Sequence, residues 1–338
     1  MSLECLKICS ENLPRLSTRV RVPAYSRTTL TSSIVHIGVG SFNRAHQAAY
    51  LDDLLHLTRI DKAAPQWAEC GIGLLPVDER LATILCAQDF LYTLVERSAH
   101  GRQARIVGSI CDFLHAPPNP QAAIERMAAE ECRIVSMTIT EGGYLVHPAT
   151  GRLDDQHPDV LHDLQHPESP KTFLGFVTEA LARRRDRGLA PFTVLSCDNL
   201  PGNGHTTQTF VSGFAEMKDP GLRAWIEANV AFPNSMVDRI TPATTDVERA
   251  LIGERFSIED GWPVFTEPYR QWVLEDTFCN GRPPLDLVGV QFTSDVQPFE
   301  VMKVLLLNGS HFALSYPAAL LGFEFVHDVI ADDLLRSS

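Results

Sequence analysis

The sequence predicts an α/β fold, a doubly wound parallel sheet with accessory strands followed by the start of an α-helical domain, on three observations. The apolar run Ser33-Ile-Val-His-Ile-Gly-Val-Gly40 ends in Gly-x-Gly and leads into helical spacing over 44–56. Two later apolar runs, 133–140 and 191–197, also end in loops rich in Gly, Asp and Asn; helical stretches separate them, the alternation of a parallel sheet. From Pro298 onward the pattern becomes a helix that is apolar around most of its circumference. The expected division is 1–296 for the sheet domain and 297–338 for the first helices of a second.

The 338 residues, 44% of them hydrophobic, are enough for two domains with sizeable cores. Lys and Arg number 29 against 42 Asp and Glu, a net charge of −13. With no basic stripe interleaved with aromatics, this balance argues against nucleic acid as a partner. The eight cysteines are scattered without Cys-x-x-Cys or paired spacing and read as reduced core residues. The first 27 residues lack the apolar segment of a secretory leader, and no later run reads as a membrane span. The expected address is the cytoplasm, with no membrane partner.

Taken in order, the strand 33–40, its glycine turn and the following helix form a dinucleotide-binding, Rossmann-type beginning. Gly38 makes the turn, Gly40 admits a pyrophosphate, and the helix start near Ser41 faces the anion. Asn43 stands where the fingerprint has its third glycine. A plain structural turn is the alternative. The next strand, 67–75, is followed by Asp78, placed to accept ribose hydroxyls and to favour NAD over NADP. Its long separation from Gly40 is attributed to a polar loop at 61–66, and a cap on the helix starting near Glu79 is the competing reading. A strand pair at 91–97 and 105–114 and a helix at 120–130 precede the strand that ends in Glu141-Gly-Gly-Tyr144. Residues 150–170, with His157, His162 and His166, read as a solvated loop and not as a zinc site. Asn199 follows the strand 191–197 at its carboxyl end, and Asp238-Arg239 reads as a surface ion pair or part of a substrate cleft. Accessory strands are expected at 261–268, 271–275 and 287–292.

The stretch Val301-Met-Lys-Val-Leu-Leu-Leu-Asn-Gly-Ser-His-Phe-Ala-Leu-Ser-Tyr316 places three chemically able side chains in an apolar helix. At about 100° per residue, Lys303, Asn308 and His311 fall at roughly 0°, 140° and 80°, one broad face. Desolvation among Val, Leu and Met disfavours a lysine's charged form and makes it a base. The bland alternative is a core helix with one snorkelling lysine. Glu300 lies one turn before Lys303.

Five ordered motifs carry a family resemblance: Ile37-Gly-Val-Gly-Ser-Phe-Asn-Arg-Ala-His46, Thr138-Ile-Thr-Glu-Gly-Gly-Tyr144, Ser196-Cys-Asp-Asn-Leu-Pro201, Phe232-Pro-Asn-Ser-Met-Val-Asp-Arg-Ile-Thr-Pro242, and Lys303-x4-Asn308-x2-His311. Over essentially the whole chain they resemble the polyol-specific long-chain dehydrogenases, and within them the members that interconvert D-mannitol and D-fructose. The resemblance implies metal-free, NAD-dependent hydride transfer to or from a polyol or ketose. Lys303 would be the general base, Asn199 and Asn308 the holders of the alkoxide oxygen, and His311 an assistant in polarisation, with Asp238 and Glu300 as accessory acids; Ile37, Gly38, Val39, Gly40, Ser41, Phe42, Asn43, Arg44 and Asp78 would line the cofactor site. It also implies a monomer, or a dimer if the helix 301–316 needs cover, because members of the family continue beyond this helix into a large helical domain. A non-catalytic cofactor-binding form and a sugar-acid reductase of the fructuronate type are the alternatives; the latter needs a cation for the substrate carboxylate.

Overall fold

The computed structural model describes residues 4–58, 67–98, 101–323 and 326–332. The expected loop at 61–66 lies outside them. Residue contacts divide the chain into Met1–Thr293 and Ser294–Ser338.

The first unit is built on a five-stranded parallel sheet. Its strands, with those of two smaller sheets, are β1 Thr31–Ile37, β2 Trp67–Gly73, β3 Tyr92–Ser98, β4 Gly101–Val107, β5 Ile110–His115, β6 Ile134–Met137, β7 Thr193–Ser196, β8 Ser235–Asp238, β9 Val264–Thr266, β10 Gln271–Glu275 and β11 Gln291–Thr293. The main sheet has the order β5-β2-β1-β6-β7, all parallel. Its strands are near-continuous apolar runs because both faces are covered. Ala123, Ile124, Phe173, Phe176 and Phe210 belong to the core on one face. Tyr50, Leu51, Leu54 and Trp272 pack in a second core with Ile34, Ile134 and Leu195.

The order reverses between β1 and β6, the switch point where a doubly wound sheet receives ligands at its carboxyl edge. The turn after β1 enters α1 Ser41–Ala45 and then α2 Gln47–Thr58. The single helix expected over 44–56 is therefore two, broken at His46 (φ −112, ψ −88). The cause is tertiary: the Tyr92 hydroxyl donates to Arg44 O at 2.7 Å and Arg239 Nη1 donates to Ala45 O. Each takes a carbonyl otherwise available for an intrahelical bond. His46 Nε2 also meets Gln271 O at 2.8 Å.

Several other expectations change for similar reasons. The strand expected over 105–114 is two, β4 ending at Val107 and β5 beginning at Ile110. Between them the Gly108 N–H donates to Asp52 Oδ1 (3.0 Å), and a Cβ at Gly108 would lie 2.7 Å from Pro23 Cγ. The loop expected over 150–170 contains a helix, Pro158–Gln165, with Pro at its first turn. It is tied to the next helix by buried Asp163, which accepts from Lys171 N, Thr172 N and Thr172 Oγ1. The strand expected over 287–292 is a 3₁₀ turn, Leu285–Val288, followed by β11. Only Cys70, Cys132 and Cys197 are buried; Cys5 and Cys86 are exposed, and Cys9, Cys111 and Cys279 are intermediate. Arg239 is not on the surface: its side chain is fully buried, with bonds to Glu267 O and Ala45 O and an ion pair to Glu96 at 2.6 Å.

In the second unit the helical stretch Gln297–Leu321 runs for 25 residues with a mean hydropathy of 1.3 over its best window. This corrects the expectation that no stretch reaches the apolar length of a membrane span. The apolar residues outweigh Glu300, Lys303, Asn308 and His311, although such polar groups are costly in lipid. Its middle, Lys303–Asn308, is π-helical, with the Gly309 N–H reaching Val304 O. Leu305, Leu306 and Phe312 are exposed at 67%, 67% and 64%.

Arg239→Ala removes donors from two backbone carbonyls and leaves Glu96 without its buried partner, a loss of about 3 kcal/mol by the usual cost of breaking such contacts. Urea unfolding of the variant should show this as a lower midpoint at unchanged slope; an unchanged midpoint would remove Arg239 from the supports of the break at His46.

Candidate active site

The carboxyl edge of the main sheet collects four segments: the turn after β1, the turn after β2, the loop after β6 and the loop after β7. Gly38 stands at the first with φ +88, and a Cβ built on it would lie 2.2 Å from Thr138 O. No other residue fits there without moving β6. Its N–H donates to Ile72 O (3.0 Å) and its carbonyl accepts from Thr138 Oγ1 (2.8 Å), so both neighbouring strands hold the turn. Gly40 is exposed at the start of α1 and has open space around its Cα. The backbone there can meet a diphosphate closely, so the residues present fit a dinucleotide.

The expected cofactor loop divides by burial. Gly40 is exposed and Gly38, Ser41 and Phe42 are half-buried, with Phe42 stacked on His46 at 4.8 Å. Ile37 and Val39 point their side chains into the core and offer only backbone. Asn43 and Arg44 are corrections to the expected lining. Both side chains are buried and committed inward: Asn43 Nδ2 donates to Glu69 Oε2 (3.3 Å), and Arg44 donates to Gly40 O (3.2 Å) and Trp262 O (2.5 Å) over the Tyr92 ring. Burial lowers the Arg44 guanidinium to about 10. Arg44 thus braces the turn from beneath.

Asp78 lies at the carboxyl end of β2, in the turn Pro76–Asp78. Its Oδ2 accepts the Leu75 N–H at 2.9 Å, which closes the turn, and only Oδ2 is so engaged among the described residues. Asp78 stands at the N-cap position of the helix Glu79–Ala87 but its side chain makes no capping bond there, so the expected cap is not formed. The carboxyl group packs where a Cβ at Gly73 would be, 3.0 Å from Oδ2.

Asn199 is exposed just beyond β7. Sequence reasoning passed over its neighbour Asp198, which positions this loop. Asp198 Oδ1 accepts from Ile139 N (2.9 Å) and Thr140 N (2.8 Å), and Oδ2 accepts from the Tyr144 hydroxyl (3.0 Å). Burial raises its carboxyl against these bonds, which lower it. Asn203 bonds both Asp198 O and Ser235, which ties the start of β8 to this loop; Asp238, at the other end of β8, is half-buried. The signal for Asp198 was an acid directly after a buried strand.

Beneath the turn lies a second group the sequence reading did not assign. Glu69 and His36 are fully buried in β2 and β1. Burial raises the Glu69 carboxyl to about 7, although hydrogen bonds from Gln47 and Asn43 lower it, and burial draws His36 down to about 3. Their signal was a charged or titratable residue inside an apolar strand run, a local conflict of the kind functional sites tolerate.

In the second unit Glu300 and Lys303 are half-buried and His311 is exposed; the Asn308 side chain lies outside the described residues. The π-helical turn alters the expected spacing. Bonds of the i→i+5 type widen the turn by one residue, so positions 303 and 308 come nearer to one face than a regular helix allows.

The family model described as the mannitol dehydrogenase Rossmann domain matches residues 32–287. The chain belongs to the mannitol dehydrogenase family. The model of that family's C-terminal domain matches 295–338. The chain is 48% identical to mannitol 2-dehydrogenase of Pyricularia oryzae, covering 94% of this chain and 63% of that one. It is 49% identical to the Cereibacter sphaeroides mannitol 2-dehydrogenase, covering 95% and 66%. Two solved structures are similar. One is Pseudomonas fluorescens mannitol 2-dehydrogenase in ternary complex with NAD and D-mannitol (TM-score 0.89, 46% identity, 98% of this chain and 67% of that one). The other is a substrate-free D-sorbitol dehydrogenase (TM-score 0.92, 42% identity, 98% and 68%). The chain thus spans about two thirds of the length of these relatives.

Glu69→Gln tests the buried carboxyl through stability. Between the ordinary 4.5 and about 7 only the folded chain holds the Glu69 proton, so its contribution to stability is full below 4.5 and is lost as pH rises through about 7. His36 runs the other way: its contribution is full above 6.5 and is lost as pH falls towards 3. The variant removes only the first. Its stability relative to the wild type should rise from pH 4 to pH 8 by on the order of 3 kcal/mol; a difference flat across that range would mean that folding leaves the Glu69 carboxyl unshifted.

Proposed function

We propose that this mannitol dehydrogenase family chain is part of an NAD-dependent oxidoreductase that interconverts D-mannitol and D-fructose without a metal. The observation that carries this reading is the glycine turn at Gly38 and Gly40, with Asp78 against Gly73 at the end of the neighbouring strand, in a chain 46% identical to an enzyme solved with NAD and D-mannitol. Asp78 would accept the adenosine ribose hydroxyls, the backbone from Gly38 to Ser41 would hold the pyrophosphate, and Phe42 would border the site. When bound, the nicotinamide supplies the acceptor for the hydride that leaves C2 of the polyol.

The remaining work falls to side chains. Lys303 Nζ takes the C2 hydroxyl proton, and in the reverse direction returns it to the carbonyl oxygen. Asn199 and Asn308 donate to that oxygen as charge develops. His311 assists in polarisation, and Asp238 and Glu300 contact substrate and pass the proton outward. The helix from 297 opens the substrate domain. The exposure of Leu305, Leu306 and Phe312 on that helix favours a second reading, a chain that binds cofactor but does not turn substrate over.

NADH-dependent reduction of D-fructose by the 338-residue chain, beside a titration of NADH, separates the two. Turnover with binding supports the enzyme; binding alone supports the second reading. Lys303→Ala should lower kcat for mannitol oxidation at least a hundredfold, the scale of a lost general base, with NADH affinity kept; surviving turnover would place the base elsewhere. Asp78→Ala should narrow the NAD-over-NADP ratio of kcat/KM about tenfold or more, the scale of one lost charge-assisted bond, and an unchanged ratio would take Asp78 out of the ribose site.

A further inference from the structure

We propose that Glu69, Gln47, Ser136, His36 and Thr138 form a one-directional hydrogen-bond chain that fixes the Gly38 peptide for the dinucleotide, which makes Thr138 and His36 positioning residues for cofactor binding. This rests on the NAD reading above for its ligand, but not for its geometry.

The direction of every link follows by elimination. A backbone carbonyl only accepts, so the Thr138 hydroxyl spends its one proton on Gly38 O at 2.8 Å. Thr138 Oγ1 must then accept from His36 Nε2, 3.0 Å away, which fixes the Nε2–H tautomer. A neutral imidazole has one proton, and burial keeps His36 neutral, so its Nδ1 accepts from the Ser136 hydroxyl at 2.8 Å. With that proton spent, Ser136 Oγ accepts from Gln47 Nε2 at 2.9 Å. This excludes the flipped amide, which would set an acceptor against an acceptor. The second Gln47 Nε2 proton goes to Glu69 Oε2 at 2.8 Å. The chain therefore runs from a carboxyl in β2, through β6 and β1, to the glycine turn.

Its consequence for binding is set by peptide planarity. The Gly38 C=O and the Val39 N–H share one trans plane and point in opposite directions. Holding the carbonyl on Thr138 aims the Val39 N–H away from β6. A glycine at φ +88 has no side chain to restrain this plane, so the hydroxyl does it. Glu69, His36, Gln47 and Ser136 are each at most 2% exposed, and Glu69 Oε1 and Asn43 Oδ1 have no hydrogen-bond partner among the described residues. An apolar interior would pack here without those losses, which is the expected mark of a network kept for positioning.

The test compares Thr138→Val, which keeps shape and removes the hydroxyl, with Thr138→Ser, which keeps the hydroxyl. NADH titration by fluorescence should give a Kd about tenfold weaker for the valine variant, the scale of one net hydrogen bond, and a near-wild-type Kd for the serine variant. The KM for NAD should rise with kcat held. Hydrogen exchange at the Val39 amide, measured without cofactor, should be faster in the valine variant only. Equal Kd and equal exchange in all three proteins would overturn the proposal. If the wild type binds no NADH, the function reading fails, and the Val39 exchange rates still decide the hydrogen-bond chain.

Discussion

The approach of Gly38 to the Thr138 carbonyl is the contact on which the first unit depends. At 2.2 Å from that oxygen a Cβ has no room, so the two central strands can lie side by side at the switch point only because position 38 is glycine. Everything at the carboxyl edge follows from this closeness: the direction of the turn, the start of α1 at Ser41, and the meeting of Thr138 with the Gly38 carbonyl. The Asp198 carboxylate secures the other side of the edge by accepting from Ile139 N and Thr140 N, where Thr140 adopts φ +62. Thr140 is held in that left-handed conformation by the bonds its backbone makes.

Buried polar groups do much of the positioning. Arg44 links the Gly40 carbonyl to Trp262 O, Arg239 reaches Ala45 O and Glu96, and Asn203 ties Asp198 to Ser235. Each of these side chains is desolvated, which is costly unless the bonds are met, and each joins segments far apart in sequence. Their common effect is to fix loop backbones that have no ladder of their own. Between about pH 4.5 and 6.5 the extra proton that folding leaves on Glu69 balances the one it removes from His36. The polar layer under the turn is then nearly neutral to pH across that interval.

The second unit obeys a different constraint. Its helix is apolar on nearly every side, yet carries Lys303 and His311 and widens into a π-helical turn over Lys303–Asn308. Widened turns of this kind are frequent at functional sites because they draw together residues that a regular helix separates. The exposure of Leu305, Leu306 and Phe312 is larger than a soluble surface usually tolerates in one stretch, and such a surface marks a place for cover.

By itself the sequence determined the parallel sheet, the glycine turn, the acid after the second strand and the Lys303-x4-Asn308-x2-His311 pattern, since all depend on period, turn chemistry and short spacing. The cap expected from Asp78 on the helix after it is not made, because the carboxylate bonds back to Leu75 N instead. Only the tertiary structure decided that Asn43 and Arg44 face inward, that Arg239 is buried, that the helix after the turn breaks at His46, and that Glu69 and His36 join one network. The partners in those cases are Glu69, Trp262, Glu96, Gln271 and Ser136, up to 225 residues away along the chain. A polar side chain's role is set by which donor or acceptor the fold brings to it, and sequence spacing carries no information about that across a sheet.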